Sequence, residues 1–466
     1  MALKVVLVNP PYPPECHQHP PYIPLGLAYL GAVLMKSGFD VSAIDAQTAM
    51  LSSKQVGERI AEIKPDIVGV TSTTLTYKPA LRVARMAKEA YPECTIVVGG
   101  CHVTFWDQNV FQDSPHVDII VRREGERTFQ DLLKKIENHE PISDVLGITY
   151  RNGNGEVHRN PDRSYIENLD ELPYPAFDLF PLEKYKVYGR ILFPIQMSRG
   201  CVFNCAFCST VRMHGREYRT REPRKVADEI EFLTKEYGAT YFGFIDDNFT
   251  LNPSKTKGLL DELQKRRLRI DYDCQSRVDV VTRDLLSDMA KSGCLSILFG
   301  VESGCDEMME AVGKHASVDQ ARTAFRLAQE AGIIRIASVL FGFPGETRET
   351  LEKTISFVLE LDPDGILYSV ATPYPGTPLY DLAVKMGWLR VTDWNKYDTA
   401  HPIFETPQLK MDELLEMKEK AYKKFYLRPR HVIHMLLKRN AFAYAEVKTS
   451  FAWYLRSLGL MHKSES

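Results

Sequence analysis

The chain has no long apolar run. None of the hydrophobic stretches in its 466 residues reaches the ~18 residues that cross a bilayer. It also lacks a strong charge of either sign. Its 58 Lys and Arg stand against 61 Asp and Glu, a net charge of −3, which gives no global attraction to nucleic acid. Cysteines are few and odd in number, nine in all, and six of them are scattered. That excludes a disulfide framework and fits a reducing cytoplasm in which thiols serve metals or catalysis. The opening "MALKVVLVNPPYPP" reads as no signal peptide, because its apolar run is short and ends in prolines. No repeat of solenoid period is visible. What remains, 44% hydrophobic and 26% charged residues, is ordinary globular material for two or three domains.

The order of apolar runs predicts an α/β chain in four parts. Residues 1–150 alternate strands ("KVVLV", "DVSAID", "DIVGV", "TIVVGG", "DIIV") with amphipathic helices such as "LGLAYLGAVLMKSG". This is the pattern of a flavodoxin-like, doubly wound parallel sheet. Residues 151–190 hold the proline-rich "ENLDELPYPAFDLFPLEKY", too aromatic for a flexible tether and expected as an ordered linker. Residues 191–387 give six further strand candidates separated by helices, enough for a (β/α)6 partial TIM barrel. Residues 388–466 read as a helical C-terminal region.

Barrel chemistry sits at the C-terminal strand ends, and here every strand runs out into polar or glycine-rich residues. The first end carries "SRGCVFNCAFCST", with Cys201, Cys205 and Cys208 in a CxxxCxxC spacing. Three thiolates suit either zinc or an iron–sulfur cluster. A zinc site needs a fourth ligand, and His214 is the nearest candidate. A four-iron cluster on three cysteines instead leaves one iron open for a substrate or cofactor.

CxxxCxxC with an aromatic before the last cysteine (Phe207) resembles the radical SAM superfamily. "GVESG", "GFPGET" and "PYPGTPLY" are similar to later strand motifs of one large branch. The resemblance spans roughly residues 190 to 385. It implies a [4Fe-4S] cluster on Cys201, Cys205 and Cys208, with S-adenosyl-L-methionine (SAM) on the open iron. Asp246, Asp247 and Asn248 would then meet the SAM ammonium, and Arg277 its carboxylate in a bidentate pair. Gln275 and Glu302 would accept from ribose hydroxyls or the amine. Gly342 and Gly345 would let backbone approach the adenine. For Asp247 and Arg277 the structural alternative is an ion pair at the barrel rim.

The first domain lacks a GxGxxG after its first strand; prolines stand there, which disfavours a dinucleotide site. "NPP", "PLGLAYL", "VGVTSTT", "VVGGCHVT" and "REGERTF" instead resemble the cobalamin-binding domain that precedes the barrel in one class of radical SAM enzymes. The implied contacts are Thr71, Ser72, Thr73, Gly99, Gly100 and His102. The DxHxxG motif, whose histidine ligates cobalt in other cobalamin proteins, is absent; the corresponding stretch reads "DAQTAM". Cobalamin is then expected base-off, with no imidazole on its lower face. A vestigial domain that binds nothing is the bland alternative. His17 and His19 read as loop residues, and Cys101, Cys274, Cys294 and Cys305 as small buried side chains.

The resemblance implies a cobalamin-dependent radical SAM enzyme that makes a 5′-deoxyadenosyl radical and C-methylates an unactivated carbon. Its substrate would be a small molecule, lipid or peptide. Its electron donor would be a protein such as flavodoxin or ferredoxin. Alternatives are a radical cyclase of the same layout and a non-catalytic cobalamin or metal sensor. The basic, aromatic tail with Lys423, Lys424, Arg428, Arg430, Lys438 and Arg439 reads first as a domain cap. The other reading is peripheral membrane contact.

Overall fold

The computed structural model describes residues 2–13, 22–187 and 189–428. β-Branched runs make strands because they fit a pleated sheet covered on both faces. In the first domain they form β1 (Lys4–Asn9), β2 (Asp40–Asp45), β3 (Ile67–Thr71), β4 (Thr95–Gly99) and β5 (Ile119–Val121). The helices between and after them are α1 (Leu25–Lys36), α2 (Ser53–Ile63), α3 (Tyr77–Ala90), α4 (Cys101–Asp113) and α5 (Gly125–Glu137). The strands are parallel in the order β2-β1-β3-β4-β5, the flavodoxin-like order with its switch beside β1. Two antiparallel strands, β6 (Ile148–Arg151) and β7 (Val157–Arg159), extend this sheet past β5. β7 is exposed along its whole length, so it carries no alternation of buried and open faces to read. The sheet therefore runs on to Arg159, into the stretch expected as linker.

The proline-rich joint is ordered against the first domain. Ala176 N–H donates to Ala28 O at 3.0 Å, and the Tyr185 hydroxyl donates to Asp45 at 2.5 Å. Gly31 on α1 permits this approach, since a Cβ there would lie 2.3 Å from Leu179.

The second sheet begins with a two-residue edge strand, β8 (Lys186–Val187), antiparallel to β9 (Arg190–Ile195). β10 (Ser198–Arg199) and β11 (Arg219–Thr220) form a small antiparallel pair around α6 (Thr210–His214). Then follow α7 (Pro223–Tyr237), β12 (Tyr241–Phe244), α8 (Pro253–Lys265), β13 (Asp271–Arg277), α9 (Arg283–Lys291) and β14 (Cys294–Glu302). After α10 (Asp306–Ala311) and α11 (Val318–Glu330) come β15 (Ile334–Phe341), α12 (Arg348–Leu361) and β16 (Gly365–Val370). Six parallel strands, β9-β12-β13-β14-β15-β16, curl into the expected partial barrel. On β15 the alternation is strict. Ala337, Val339 and Phe341 are fully buried under helices, and Ile336, Ser338 and Leu340 face the other, concave side.

Beyond the barrel, α13 (Pro378–Lys385) leads through loops to α14 (Met411–Tyr426). α14 caps β16: the Tyr422 hydroxyl accepts from Tyr368 N–H at 3.1 Å. Lys423 and Lys424 pair with Glu419 and Glu352, and Arg428 with Asp362. His17, His19, Arg430, Lys438 and Arg439 lie outside the described residues. Among the described residues no helix is long and apolar enough to cross a membrane.

Candidate active site

β9 hands the chain through β10 to the cysteine loop. Gly200 makes the turn with φ +93°, and a Cβ there would lie 2.1 Å from Glu217 O, so only glycine fits. Backbone bonds then fix the loop: Cys201 N–H to Gly215 O (3.3 Å), Ala206 N–H to Val312 O (2.8 Å) and Leu379 N–H to Ala206 O (2.9 Å). Cys201, Cys205 and Cys208 are free and half-buried. Burial pushes the Cys201 and Cys205 thiols up in pKa, while Lys314 and Arg277 pull Cys205 back. Binding iron at such thiols releases protons. Three thiols on one rigid loop fit a cluster in which each sulfur holds a separate iron. The zinc alternative fares worse. His214 turns Nδ1 toward Glu124, 3.7 Å away, and no three His, Cys, Asp or Glu side chains among the described residues form a single-ion site.

The other strand ends face the same rim. Asp246 is buried and accepts from Met197 N–H at 3.2 Å and from the Ser198 hydroxyl. Burial raises its pKa to about 6 despite those donors. It ties β12 to the root of the cysteine loop. Asp247 accepts from the Thr210 hydroxyl at 2.9 Å, and burial raises its pKa too. Asn248 is buried with its Nδ2 lacking a partner. Gln275 is exposed on the concave side. Phe207 packs on Phe343 at 5.5 Å between ring centres.

Three strand-end residues differ from expectation. Arg277 directs Nε and Nη2 at the two Asp279 oxygens, both at 2.8 Å. Its bidentate face is thus occupied inside the protein, which is the rim ion pair named as the alternative. Glu302, in the left-handed region at φ +63°, holds Lys314 Nζ at 2.8 Å in a buried pair. Gly300 makes room for that pair, because a Cβ there would lie 2.5 Å from Glu302 Oε1. Gly342 N–H donates to Glu346 Oε2 at 2.6 Å, and a Cβ at Gly342 would meet Leu414 of α14 at 3.0 Å. Its smallness therefore serves the helical cap. Gly345, with nothing within 4 Å of its Cβ position, stays open.

Between the first sheet's C-terminal edge and the barrel rim lies a cavity of about 280 Å³. Its depth is apolar (Leu7, Leu25, Val97, Phe129) beside Gly69; its floor edge is Thr71, Gly99 and Gly100. Its mouth is polar, with Gln196, Arg199 and His214 from the barrel side. An apolar slot of this size accepts a flat aromatic base, and the glycine edge lets a bulky ring system lie against backbone. The residues present thus fit cobalamin. Ser72 is buried with its hydroxyl donating to Thr73 O, and the exposed Thr73 shares a hydroxyl–hydroxyl bond with Thr76, so neither lines the cavity. His102 is not among the lining residues. It is buried against Tyr77 and Trp394 with Nδ1 on Thr74, and burial lowers its pKa to about 3. The "DAQTAM" stretch follows the edge strand β2, and none of it lines the cavity.

A buried ion network locks the mouth. Glu126 takes Arg199 at 2.6 Å. Glu124 takes Arg219 at 2.8 Å, Arg199 at 3.4 Å and Ile166 N–H at 2.8 Å. Burial opposes the charge on Glu124, but His214, Arg219, Arg199 and Ile166 N–H outweigh it and hold the carboxyl well below the usual range. "REGERTF" is thus the interdomain clamp. Its partner Arg199 stands two residues before Cys201, a signal present in "SRGC" but silent about which carboxylates it meets.

A doubly wound sheet and a partial barrel, sharing one cleft with a three-thiol loop beside it, define an enzyme whose cofactors are divided between two domains. Residues 195–358 match the family model of the radical SAM superfamily, and residues 19–133 that of the B12 binding domain. The chain belongs to the radical SAM superfamily, in its cobalamin-binding class. It is 36% identical over 419 residues to an uncharacterized methyltransferase of Pyrococcus horikoshii, covering 90% of this chain and 91% of that one. It is 34% identical over 414 residues to the anaerobic magnesium-protoporphyrin IX monomethyl ester cyclase of Rubrivivax gelatinosus, covering 87% of this chain and 74% of the cyclase. Its fold is similar to the radical SAM methyltransferase TsrM of Kitasatospora setae, with a TM-score of 0.74 at 20% identity over 92% of this chain and 90% of that one.

Proposed function

We propose that this enzyme is a cobalamin-dependent C-methyltransferase acting on an unactivated carbon of a small-molecule, lipid or peptide substrate. The observation that carries the reading is the shared cleft: Thr71, Gly99 and Gly100 of one sheet open onto the same cavity as Gln196, Arg199 and His214 beside the cysteine loop. Two strand-end surfaces meeting in one cavity suit a group transfer between cofactors held by different domains. Cys201, Cys205 and Cys208 would hold the cluster. Asp247, Asn248, Gln275 and Gly345 would surround SAM, with the unpartnered Asn248 amide as the clearest donor. When bound, the cluster and SAM supply a carbon radical, and cobalamin supplies the methyl group. The chain's own part is to orient both and to exclude water with the apolar depth of the cleft. A reductant such as flavodoxin or ferredoxin would deliver electrons.

The methyltransferase of P. horikoshii, similar along nine-tenths of this chain, supports methylation. A second reading, ring closure, is favoured by the 34% identity to the R. gelatinosus cyclase. Anaerobic incubation of the reconstituted enzyme with methyl-labelled SAM, dithionite and extract of the source organism separates them. Methylation places label in a new product that depends on cobalamin. A product lacking label but short of two hydrogens means cyclisation. A Cys201, Cys205, Cys208→Ala variant that still makes 5′-deoxyadenosine would remove the cluster assignment.

A further inference from the structure

We propose that Arg277 sets the reduction potential of the cluster, by holding a fixed cation and one N–H against the Cys205 sulfur. The inference rests on the assignment of the three cysteines to that cluster. Arg277 ends β13 and is buried, with its side chain 7% exposed. Its guanidinium is held from three sides: the Asp279 fork at 2.8 Å on Nε and Nη2, Lys314 O at 2.6 Å on Nη2, and the Phe203 ring 3.5 Å beneath its carbon. Phe203 belongs to the cysteine loop itself. The remaining nitrogen, Nη1, lies 3.9 Å from Cys205 Sγ. A guanidinium pinned in this way does not swing out to clamp another carboxylate, and the nitrogen outside the clamp, Nη1, faces sulfur.

The physical consequence has a sign. Reduction adds one negative charge to the cluster, and a nearby cation or N–H donor stabilises that charge and raises the potential. Asp279 opposes this by neutralising the cation. The other cation near Cys205, Lys314, is already paired with Glu302. Arg277 and Asp279 should therefore move the potential in opposite directions.

The test uses the full chain, reconstituted anaerobically with iron and sulfide. It combines a dithionite titration followed by electron paramagnetic resonance with iron counting and equilibrium dialysis of SAM. Asp279→Asn should raise the potential. Adding Arg277→Gln to that variant, which avoids stranding a buried carboxylate, should lower it below wild type. The expected drop is about tenfold in reduced fraction at a fixed poise, about 59 mV for one electron. Arg277→Lys, which keeps the charge, should fall between. Iron content and SAM affinity should stay as in wild type. Potentials unchanged in iron-loaded variants overturn the proposal. Loss of iron from both variants also overturns it, by assigning the pair to loop folding. SAM affinity lost at an unchanged potential would return Arg277 to a carboxylate clamp. A wild type that takes up no iron would instead defeat the cluster assignment.

Discussion

Glu124→Gln is the sharpest probe of how the two halves are joined. The amide keeps the shape and can still accept from Ile166 N–H (2.8 Å). It loses the charge that Arg219 meets at 2.8 Å and Arg199 at 3.4 Å. All three side chains are 5–7% exposed, so water does not replace the lost partner. Breaking one side of a buried ion pair typically costs about 3–5 kcal/mol. Arg199 keeps Glu126 at 2.6 Å, and Arg219 keeps Ile166 O at 2.6 Å, so the lower end applies, about 3 kcal/mol. For a domain of roughly 200 residues that is a fall of about 6–12 °C in Tm. Scanning calorimetry of the cofactor-free protein measures it. The pH dependence supplies a second arm. The Glu124 carboxyl is held below its ordinary 4.5. Its contribution is therefore complete above that value and is lost as pH falls below it. The wild-type advantage over Glu124→Gln should thus shrink on acidification from pH 4.5. A Tm within 2 °C of wild type near neutral pH, on the scale of roughly 2–4 °C per kcal/mol, would refute the clamp.

Gly100→Ala should lose stability and cobalamin affinity together. Its Cβ would lie 2.4 Å from Ser72 O at φ +106° and ψ 178°, a backbone strain of roughly 1–3 kcal/mol plus an overpacking cost of typically 1–3 kcal/mol. Gly99→Ala, whose nearest neighbour would be 3.5 Å away, should fold like wild type; hydroxocobalamin titration and calorimetry compare the two. Burial raises the Glu346 carboxyl from 4.5 to about 7, so its neutral form stabilises the fold below pH 4.5 and that stabilisation fades as pH rises to 7. Glu346→Gln should accordingly gain about 3 kcal/mol on wild type between pH 4.5 and 8, seen as diverging urea midpoints; parallel midpoints would count against the buried charge.

The parallel strands were legible because burial on both faces demands apolar, β-branched runs, and "KVVLV" or "TIVVGG" allow little else. The antiparallel extension was not, because β7 is an exposed edge whose pairing comes from backbone, not from side-chain pattern. The cysteine loop was legible for a different reason: metal ligation needs a fixed residue type at a fixed spacing. Ion pairs obey no such rule. Glu126 meets Arg199 across 73 residues of sequence, and a guanidinium accepts any carboxylate the fold brings to it. Arg277 shows the same limit at short range. Its partner Asp279 is two residues away, yet the strand end could equally have turned it outward.

That limit explains why charged side chains proved least readable where they matter most. A cofactor contact and an internal ion pair need the same residue, the same burial and the same strand end. They differ only in whether the protein supplies the counter-charge. At Arg277 and Glu302 it does, with Asp279 and Lys314, and at Asp246 it supplies hydrogen-bond donors instead, the backbone N–H of Met197 and the Ser198 hydroxyl. At Asn248 it does not, since Nδ2 is left without a partner. The neutral Asn248 is thus left open to a ligand, whereas Arg277, Glu302 and Asp246 hold the rim in shape. Burying a charge without a partner is costly in a cofactor-free fold, whereas an orphaned amide is affordable at roughly 1–3 kcal/mol. A protein that must fold before its cofactors bind is therefore better served by pairing its own charges and offering amides and backbone to the ligand.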